Sequence, residues 1–471
     1  MVELIKHGVY LLDGQKVVED TTGMPSADEA RENTITYGIL RAHDVNGGKG
    51  KEMHIRFDAM MSHDITYVGI IQTARASGLT KFPLPYAMTN CHNSLCAVGG
   101  TINEDDHVFG LSAAKKYGGI YVPANQAVIH QFAREEMVKC GNMILGSDSH
   151  TRYGSLGNMG VGEGGGELVK QLLRNTWDIN APEVVLVWLE GTPRHGIGPH
   201  DVAISLVKAV FESGFVKNKV LEFAGPGVAN LSVDFRNGID VMTTETTCLS
   251  SIWVTDEKVR EHYELHRRPE DYKELRPGKV AYYDSMVRID LSKQESMIAL
   301  PYHPSNAVSI HELQADPETV LRRVEEDTKR RFGDKVQPDL VSKIRDGKVY
   351  ADQGIIAGCS GGTYENLCEA AAILRGQQRL LLLLGLSAVF SRLYRCQPCR
   401  RDERPHRGRC CHQARLLRSV LRCWRRAFQQ RSEHPPHHAQ LPQPRGFQAG
   451  TGPDLHGRPD GCAQHCCLCS Q

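Results

Sequence analysis

Lysine, isoleucine, asparagine and methionine are all absent from the last 95 of this chain's 471 residues, and acidic residues are scarce there. Gln377 to Gln471 holds 16 Arg against 3 Asp and 2 Glu, a net of +11, whereas Met1 to Gly376 carries a net of −10. The formal charge of +1 for the whole therefore conceals two parts that need separate explanations. Long apolar runs are lacking too. The longest, Leu380 to Phe390, falls far short of the roughly 20 residues of a transmembrane helix. Met1-Val2-Glu3-Leu4-Ile5-Lys6-His7 runs straight into polar sequence, so no secretory signal is expected. Only six of the 15 cysteines precede Gln377, and they are scattered. That excludes a disulfide framework and predicts a cytoplasmic location, with thiols that are free or bind metal.

What is present before Gln377 is an alternation of strand-like and helix-like segments. Val184-Val185-Leu186-Val187-Trp188-Leu189 is a buried strand by its β-branched and aromatic content. Met143-Ile144-Leu145 is a second, ending at Gly146. Ala127 to Lys139 and Val202 to Phe215 have helical composition or spacing, with Pro199-His200-Asp201 opening the latter. Asp316 to Arg331 reads as a solvated, charged helix. The alternation predicts α/β layers with a largely parallel sheet, with sites at the carboxyl ends of the strands. Boundaries are expected near Asn180-Ala181-Pro182 and Pro301-Tyr302-His303-Pro304, giving segments 1–180, 181–300 and 301–376. The segment 377–471 is expected to be a disordered, non-native tail.

Three segments carry candidate chemistry. Gly146-Ser147-Asp148-Ser149-His150-Thr151 ends a strand-like run and precedes a glycine-rich loop, Gly154 to Gly166. An Asp and a His two apart there can share a proton, the carboxylate fixing the imidazole tautomer. A strand-end turn closed by an Asx hydrogen bond explains the same residues equally well. His130, in Val128-Ile129-His130-Gln131, sits among apolar residues, where a satisfied core histidine is the commoner outcome. Cys359 follows the strand-like Ile355-Ile356-Ala357 and is flanked by small residues that would admit a bulky cofactor. A buried structural thiol is the alternative.

Together these segments, with Glu222-Phe223-Ala224-Gly225-Pro226-Gly227, resemble the aconitase family in order and spacing, from about His63 to Gly376. The resemblance implies three-layer α/β/α domains and a hydro-lyase that adds or removes water on small di- or tricarboxylates. It implies a [4Fe–4S] cluster, with Cys359 as its first cysteine ligand and one iron open as a Lewis acid. It places His92, His130, Asp148, His150 and Glu245 in catalytic positions, and His63 and Ser149 in substrate-binding ones. No nucleic-acid or membrane partner is implied. A separate small subunit is, if the chain is an isopropylmalate-dehydratase-like large subunit; a cluster-free scaffold is the non-catalytic alternative. The sequence departs from the family's pattern at three places. Cys91 stands where the family has the aspartate preceding His92, His63 where aconitase has a glutamine, and Gly361 where an asparagine follows the cluster cysteine.

The family also needs a Cys-x-x-Cys turn for its remaining cluster ligands and a swivelling domain that carries a serine base and arginines. Nothing after Gly376 matches either. Cys396-Gln397-Pro398-Cys399 has the form without the glycine-rich surroundings, and Cys410-Cys411 and His465-Cys466-Cys467 lack the paired spacing of a zinc site. Back-translation of Leu417 to Arg426, read one base later, permits Cys-Gly-Pro-Cys-Phe-Gly-Ala-Gly-Asp, the missing turn. Arg431 to Gly446 in the same shifted frame permits an Arg-Asn-Phe segment of the kind that follows it. The gene is therefore expected to carry a one-base insertion or deletion near the codon for Gly376. Resequencing is the check, and an intact frame with the same tail in close relatives would end the idea.

Overall fold

A computed structural model describes residues 2–20, 22–47, 50–92, 101–124, 126–351 and 354–373. The strands of its two five-stranded sheets are, in chain order, β1 (Val2–Ile5), β2 (Ala59–His63), β3 (Tyr86–Thr89), β4 (Ile120–Val122), β5 (Met143–Gly146), β6 (Met159–Gly162), β7 (Val184–Glu190), β8 (Val220–Ala224), β9 (Ser250–Trp253) and β10 (Ser285–Asp290). Five helices bear on the site: α1 (Tyr67–Ala76), α2 (Thr101–Tyr117), α3 (Ile129–Glu136), α4 (Pro199–Val210) and α5 (Val233–Met242).

The first sheet runs β4-β3-β2-β5-β6 with every pair parallel. The second runs β1-β10-β7-β8-β9, parallel except where β1 meets β10. The expected α/β fold with mostly parallel sheets is what forms. β7 shows why its run is apolar throughout. Val184, Leu186 and Trp188 pack into one core cluster while Val185, Val187 and Leu189 pack into another. Side chains alternate faces along a strand, so a strand covered on both sides has no position left for a polar residue. The N-terminal strand β1 joins the second sheet, so 1–180 contributes to both sheets.

The order of the first sheet locates the site. The chain starts in the middle at β2, builds outward through β3 to β4, then returns to the other side of β2 with β5 and β6. Right-handed crossovers put α1 and α2 on one face and α3, which leads back across to β5, on the other. The loops leaving β2 and β5 therefore diverge and open a crevice at the strands' carboxyl ends. His63 is the last residue of β2, Cys91 and His92 follow β3, and Asp148 follows β5.

Two expectations change. Gly154 to Gly166, read as a loop, contains a 3-10 turn (Gly154–Leu156), the strand β6 and the start of the helix Gly165–Leu172. Its glycines permit close backbone approach: a Cβ on Gly154 would lie 2.3 Å from the Ser251 carbonyl oxygen, and one on Gly162 2.4 Å from that of Asp148. Ile355-Ile356-Ala357, read as strand-like, is not a strand, and Ile355 is exposed. Among other readings, the charged helix spans Pro317–Phe332, its first turn capped by Asp316 Oδ1 accepting from the Thr319 N–H at 3.1 Å. Cys96 and everything expected of 377–471, disorder and cysteine pairs alike, lie outside the described residues. No helix among the described residues is long and apolar enough to cross a membrane.

Glu222, in β8, ties the second sheet to the helix Ile35–His43. Its buried carboxylate accepts from the N–H groups of Ile35 (3.1 Å) and Thr36 (2.9 Å), the Thr36 hydroxyl (2.8 Å) and the Tyr283 hydroxyl (2.7 Å). Negative charge at a helix N-terminus is favourable, and here it also satisfies donors that have no water to turn to. Glu222→Ala is expected to destabilise the fold by on the order of 3 kcal/mol, read by denaturant unfolding, because it strands four buried donors. An unchanged midpoint would show that the helix entry is held by something else.

Candidate active site

One carboxylate organises the crevice. Asp148 Oδ1 accepts from His130 Nε2 at 3.1 Å and from the His150 N–H at 2.7 Å. Asp148 Oδ2 stands 3.0 Å from His92 Nε2 and 3.5 Å from His63 Nε2. The Asx turn and the His–carboxylate pairing, alternatives in the sequence, thus coexist: one oxygen closes the turn and also holds an imidazole. The Gly162 position explains how the turn is reached, since only a residue without Cβ lets β6 lie against the Asp148 carbonyl.

From Asp148 the polar contacts run in two directions. On one side His130 Nδ1 meets the Tyr153 hydroxyl at 3.2 Å, so the buried imidazole is bonded at both nitrogens. On the other, His150 Nδ1 lies 3.6 Å from Asp148 and 3.2 Å from Ser149 Oγ, while its Nε2 meets Glu245 Oε1 at 3.2 Å. The Ser149 carbonyl accepts from the Thr244 hydroxyl at 2.6 Å, which joins the Asp148 turn to the segment that carries Glu245. His303 Nε2 approaches the second Glu245 oxygen at 3.8 Å, its ring stacked on Phe211 with centroids 3.7 Å apart.

The near side of the crevice holds a stacked pair. The rings of His63 and His92 lie 3.8 Å apart at 31°. His92 Nδ1 faces Cys91 Sγ at 3.3 Å, and its N–H donates to Asp64 Oδ1 at 3.1 Å. Asp64 Oδ2 in turn bonds His107 Nε2, from α2, at 3.1 Å.

Burial and charge divide these groups. Burial pulls His92 down, but its bonds to Asp148 and Cys91 outweigh that and raise it to about 10. Burial also opposes the His150 charge, and Asp148 and Glu245 prevail and raise it to about 9. His63 goes the other way: burial, with the neighbouring His92 charge, lowers it to about 4. Burial likewise lowers His130. Burial pushes the Asp148 carboxyl up, but His130, His150 and His92 hold it well below the usual carboxylate range. The His150 hydrogen bond lowers Glu245. Two touching imidazoles on one carboxylate cannot both be charged, so their shifts have opposite signs.

All the sequence candidates except Cys359 thus meet around Asp148: His63, His92, His130, His150 and Glu245 directly, Ser149 through His150. Cys359 is the second residue of a one-turn helix, Gly358–Gly361. Its carbonyl accepts from the fully buried Arg134 of α3 at 3.2 Å. The next residue, Ser360, bonds His200 Nε2 of α4 at 2.9 Å and the Gly238 carbonyl of α5 at 3.2 Å. Sequence reading missed Asp64, Tyr153, Arg134 and His303. Asp64, adjacent to His63 at the end of an apolar strand, carried a readable signal. His303 carried none, because its approach to Glu245, 58 residues earlier in the chain, arises from tertiary packing, with the ring on Phe211 and Nδ1 bonded to Ser305.

The described residues do not by themselves fit a [4Fe–4S] cluster. Cys140 and Cys248 are buried, with their Sγ atoms on the Leu156 and Thr243 carbonyls at 3.3 Å, and Cys91 is engaged with His92. Cys359 stands in a motif of the cluster type, but three thiolates are needed.

A raised imidazole pKa stabilises the fold fully below the ordinary value of 6.5 and loses that contribution as pH rises through the folded value. For His150 the loss is centred near about 9. In a histidine-resolved NMR titration, His150 is expected to titrate near that value and to fall toward 6.5 in Asp148→Asn. A His150 titration near 6.5 in the unsubstituted protein would contradict the geometry.

Comparison with known proteins bears on the whole arrangement. Over 369 residues the chain is 27% identical to mitochondrial aconitate hydratase of Aspergillus fumigatus, covering 73% of this chain but 44% of that one. It is 27% identical to the 3-isopropylmalate dehydratase large subunit of Moorella thermoacetica over 76% of this chain and 79% of that one. With the large subunit 1 of Thermotoga maritima it shares 26% identity over 60% of this chain and 68% of that one. The chain thus spans less than half the length of the fungal hydratase and most of the bacterial subunits. The sequence profile described as "Aconitase family (aconitate hydratase)" matches residues 37–381, and the chain belongs to the aconitase family.

Proposed function

We propose that this chain is the scaffold of a hydro-lyase acting on a small hydroxy-di- or tricarboxylate, and that it supplies the proton-donating half of the site. The convergence of His130 and His150 on Asp148, with Glu245 behind His150, carries this reading. Water loss from a hydroxy acid breaks a C–O bond, and the departing oxygen must receive a proton. His150 holds one between two carboxylates, and its side chain is 30% exposed on the crevice. As it gives up the proton, Glu245 and Asp148 keep the ring oriented. His130, buried and bonded on both nitrogens, holds the carboxylate in place rather than titrating. His63 and Ser149 line the same crevice as substrate contacts.

When bound, a cluster would supply Lewis acidity toward the substrate hydroxyl and carboxylate, with Cys359 as one ligand. One matching thiol of three accounts for little of the binding free energy, so this chain is proposed to hold no stable cluster and to show no hydratase turnover. Anaerobic reconstitution with iron and sulfide, followed by iron counting, visible absorbance and hydration assays on unsaturated acids, checks both. In a frame-restored chain, Cys359→Ser is expected to abolish cluster iron. Stoichiometric iron and turnover in the 471-residue chain would refute the reading, as would normal iron in Cys359→Ser.

A second reading rests on the 79% coverage of the Moorella large subunit: a chain of this kind that works with a separate small subunit. Activity restored by co-expression with such a subunit would favour it.

A further inference from the structure

We propose that His63, His92 and Asp148 form a mononuclear site for a divalent transition-metal cation, separate from any thiolate-held group. Two imidazoles and one carboxylate on one face of a metal, with the remaining positions open, is the ligand set of non-haem iron(II) sites and is compatible with cobalt(II) and zinc(II).

The donor atoms have the spacing such a set requires. Ligands about 2.1 Å from one ion, in tetrahedral or octahedral arrangement, stand roughly 3.0–3.5 Å from one another. Asp148 Oδ2 is 3.0 Å from His92 Nε2 and 3.5 Å from His63 Nε2, and the two rings overlap at 3.8 Å with their Nε2 atoms toward the same oxygen. For both imidazoles to bind one ion in their ring planes, the rings must open from 3.8 Å to roughly 4.5–5 Å between centroids.

The surrounding contacts are those of metal ligands. A ligating histidine donates its other ring N–H to an outer partner, which fixes the tautomer. His92 Nδ1 faces Cys91 Sγ at 3.3 Å, and His63 Nδ1 faces the Thr66 hydroxyl at 3.5 Å. Thr66 Oγ1 also lies 2.6 Å from Ser147 Oγ and 3.1 Å from the His63 carbonyl, so its single proton has other acceptors and the oxygen is free to accept from His63. The His63 Nε2 lone pair is then available, and an ion would displace the proton that His92 Nε2 shares with Asp148, releasing it to solvent. Asp148 meets the same requirement, since its other oxygen is held by His130 and the His150 N–H.

The His63 side chain is 7% exposed, and its Nε2 stands 3.5 Å from Asp148 Oδ2. Asp64 adds a second negative charge beside the site, its donor atom within 4.8 Å of those of His63 and His92. With Asp148 it offsets the charge of a divalent ion. The His92 side chain is 32% exposed, so the open coordination positions face the crevice, where water or an acid's carboxylate oxygen would bind.

The test uses the full chain, stripped with chelator and titrated with cobalt(II), following visible absorbance and bound metal. One equivalent with nitrogen/oxygen-type d–d bands is expected at this site. His63→Gln and, separately, His92→Gln should each weaken that equivalent by more than about tenfold. Cys359→Ser should leave it unchanged, which separates this site from the cluster ligand and from the hydro-lyase reading. Circular dichroism shows whether each variant folds, and the unsubstituted chain's own titration stands if one does not. The proposal is overturned if the unsubstituted chain binds no such equivalent, if folded His63→Gln and His92→Gln bind cobalt as tightly as the parent, or if the increment they lose carries a thiolate charge-transfer band.

Discussion

The Asp148 carboxylate is the constraint on which the rest of the site depends. It is one negative charge, mostly buried, with four imidazoles around it. A lone carboxylate at this depth would be costly unless paired, and four neutral imidazoles would give no reason to keep it ionised. The arrangement resolves both by dividing the rings. His92 and His150, at the more open edge, carry charge; His63 and His130, in the interior, do not. What separates the charged rings is a second hydrogen-bonded partner beside Asp148, Cys91 for His92 and Glu245 for His150; at His63 and His130 burial prevails, although the four distances to Asp148 span only 3.0 to 3.6 Å.

The fold delivers that arrangement through strand order. His63, Cys91, His92 and Asp148 come from three segments widely separated in sequence, but all lie at carboxyl ends of adjacent strands of one parallel sheet. α3 brings His130 from the other side of the switch, and the segment after α5 brings Glu245. Each element is rigid where it bears a functional side chain: β2, β3 and β5 are buried along their whole lengths.

How much of this was legible follows from what determines each feature. Val184–Leu189 and Met143–Leu145 were readable because a strand buried on both faces leaves its mark in local composition. The Asp148–His150 turn was readable for the same reason, its chemistry lying within three residues. Gly154 to Gly166 was misread because its glycines serve close contacts with Ser251 and Asp148, and composition alone does not tell a close approach from a flexible loop. Ile355–Ala357 was misread because only Ala357 forms a bridge, and one paired residue does not make a strand. Tyr153 and His303 were invisible, since each is defined by a partner more than 20 residues away.

The departures from the family pattern have a common electrostatic consequence. Replacing an aspartate with Cys91 removes a fixed carboxylate from beside His92, and replacing a glutamine with His63 adds a basic nitrogen. Both changes leave Asp148 to serve more imidazoles with less help. Like charges at stacking distance repel strongly, so only one ring of the His63–His92 pair is charged near neutral pH. The second imidazole then keeps a lone pair that no proton takes up. A nitrogen so placed beside a carboxylate is a base, a substrate-binding acceptor or a ligand. The His63 side chain is 7% exposed, with its Nε2 3.5 Å from Asp148. Low exposure weighs against a base that exchanges protons freely with solvent and leaves the nitrogen to a substrate group or an ion that approaches beside Asp148.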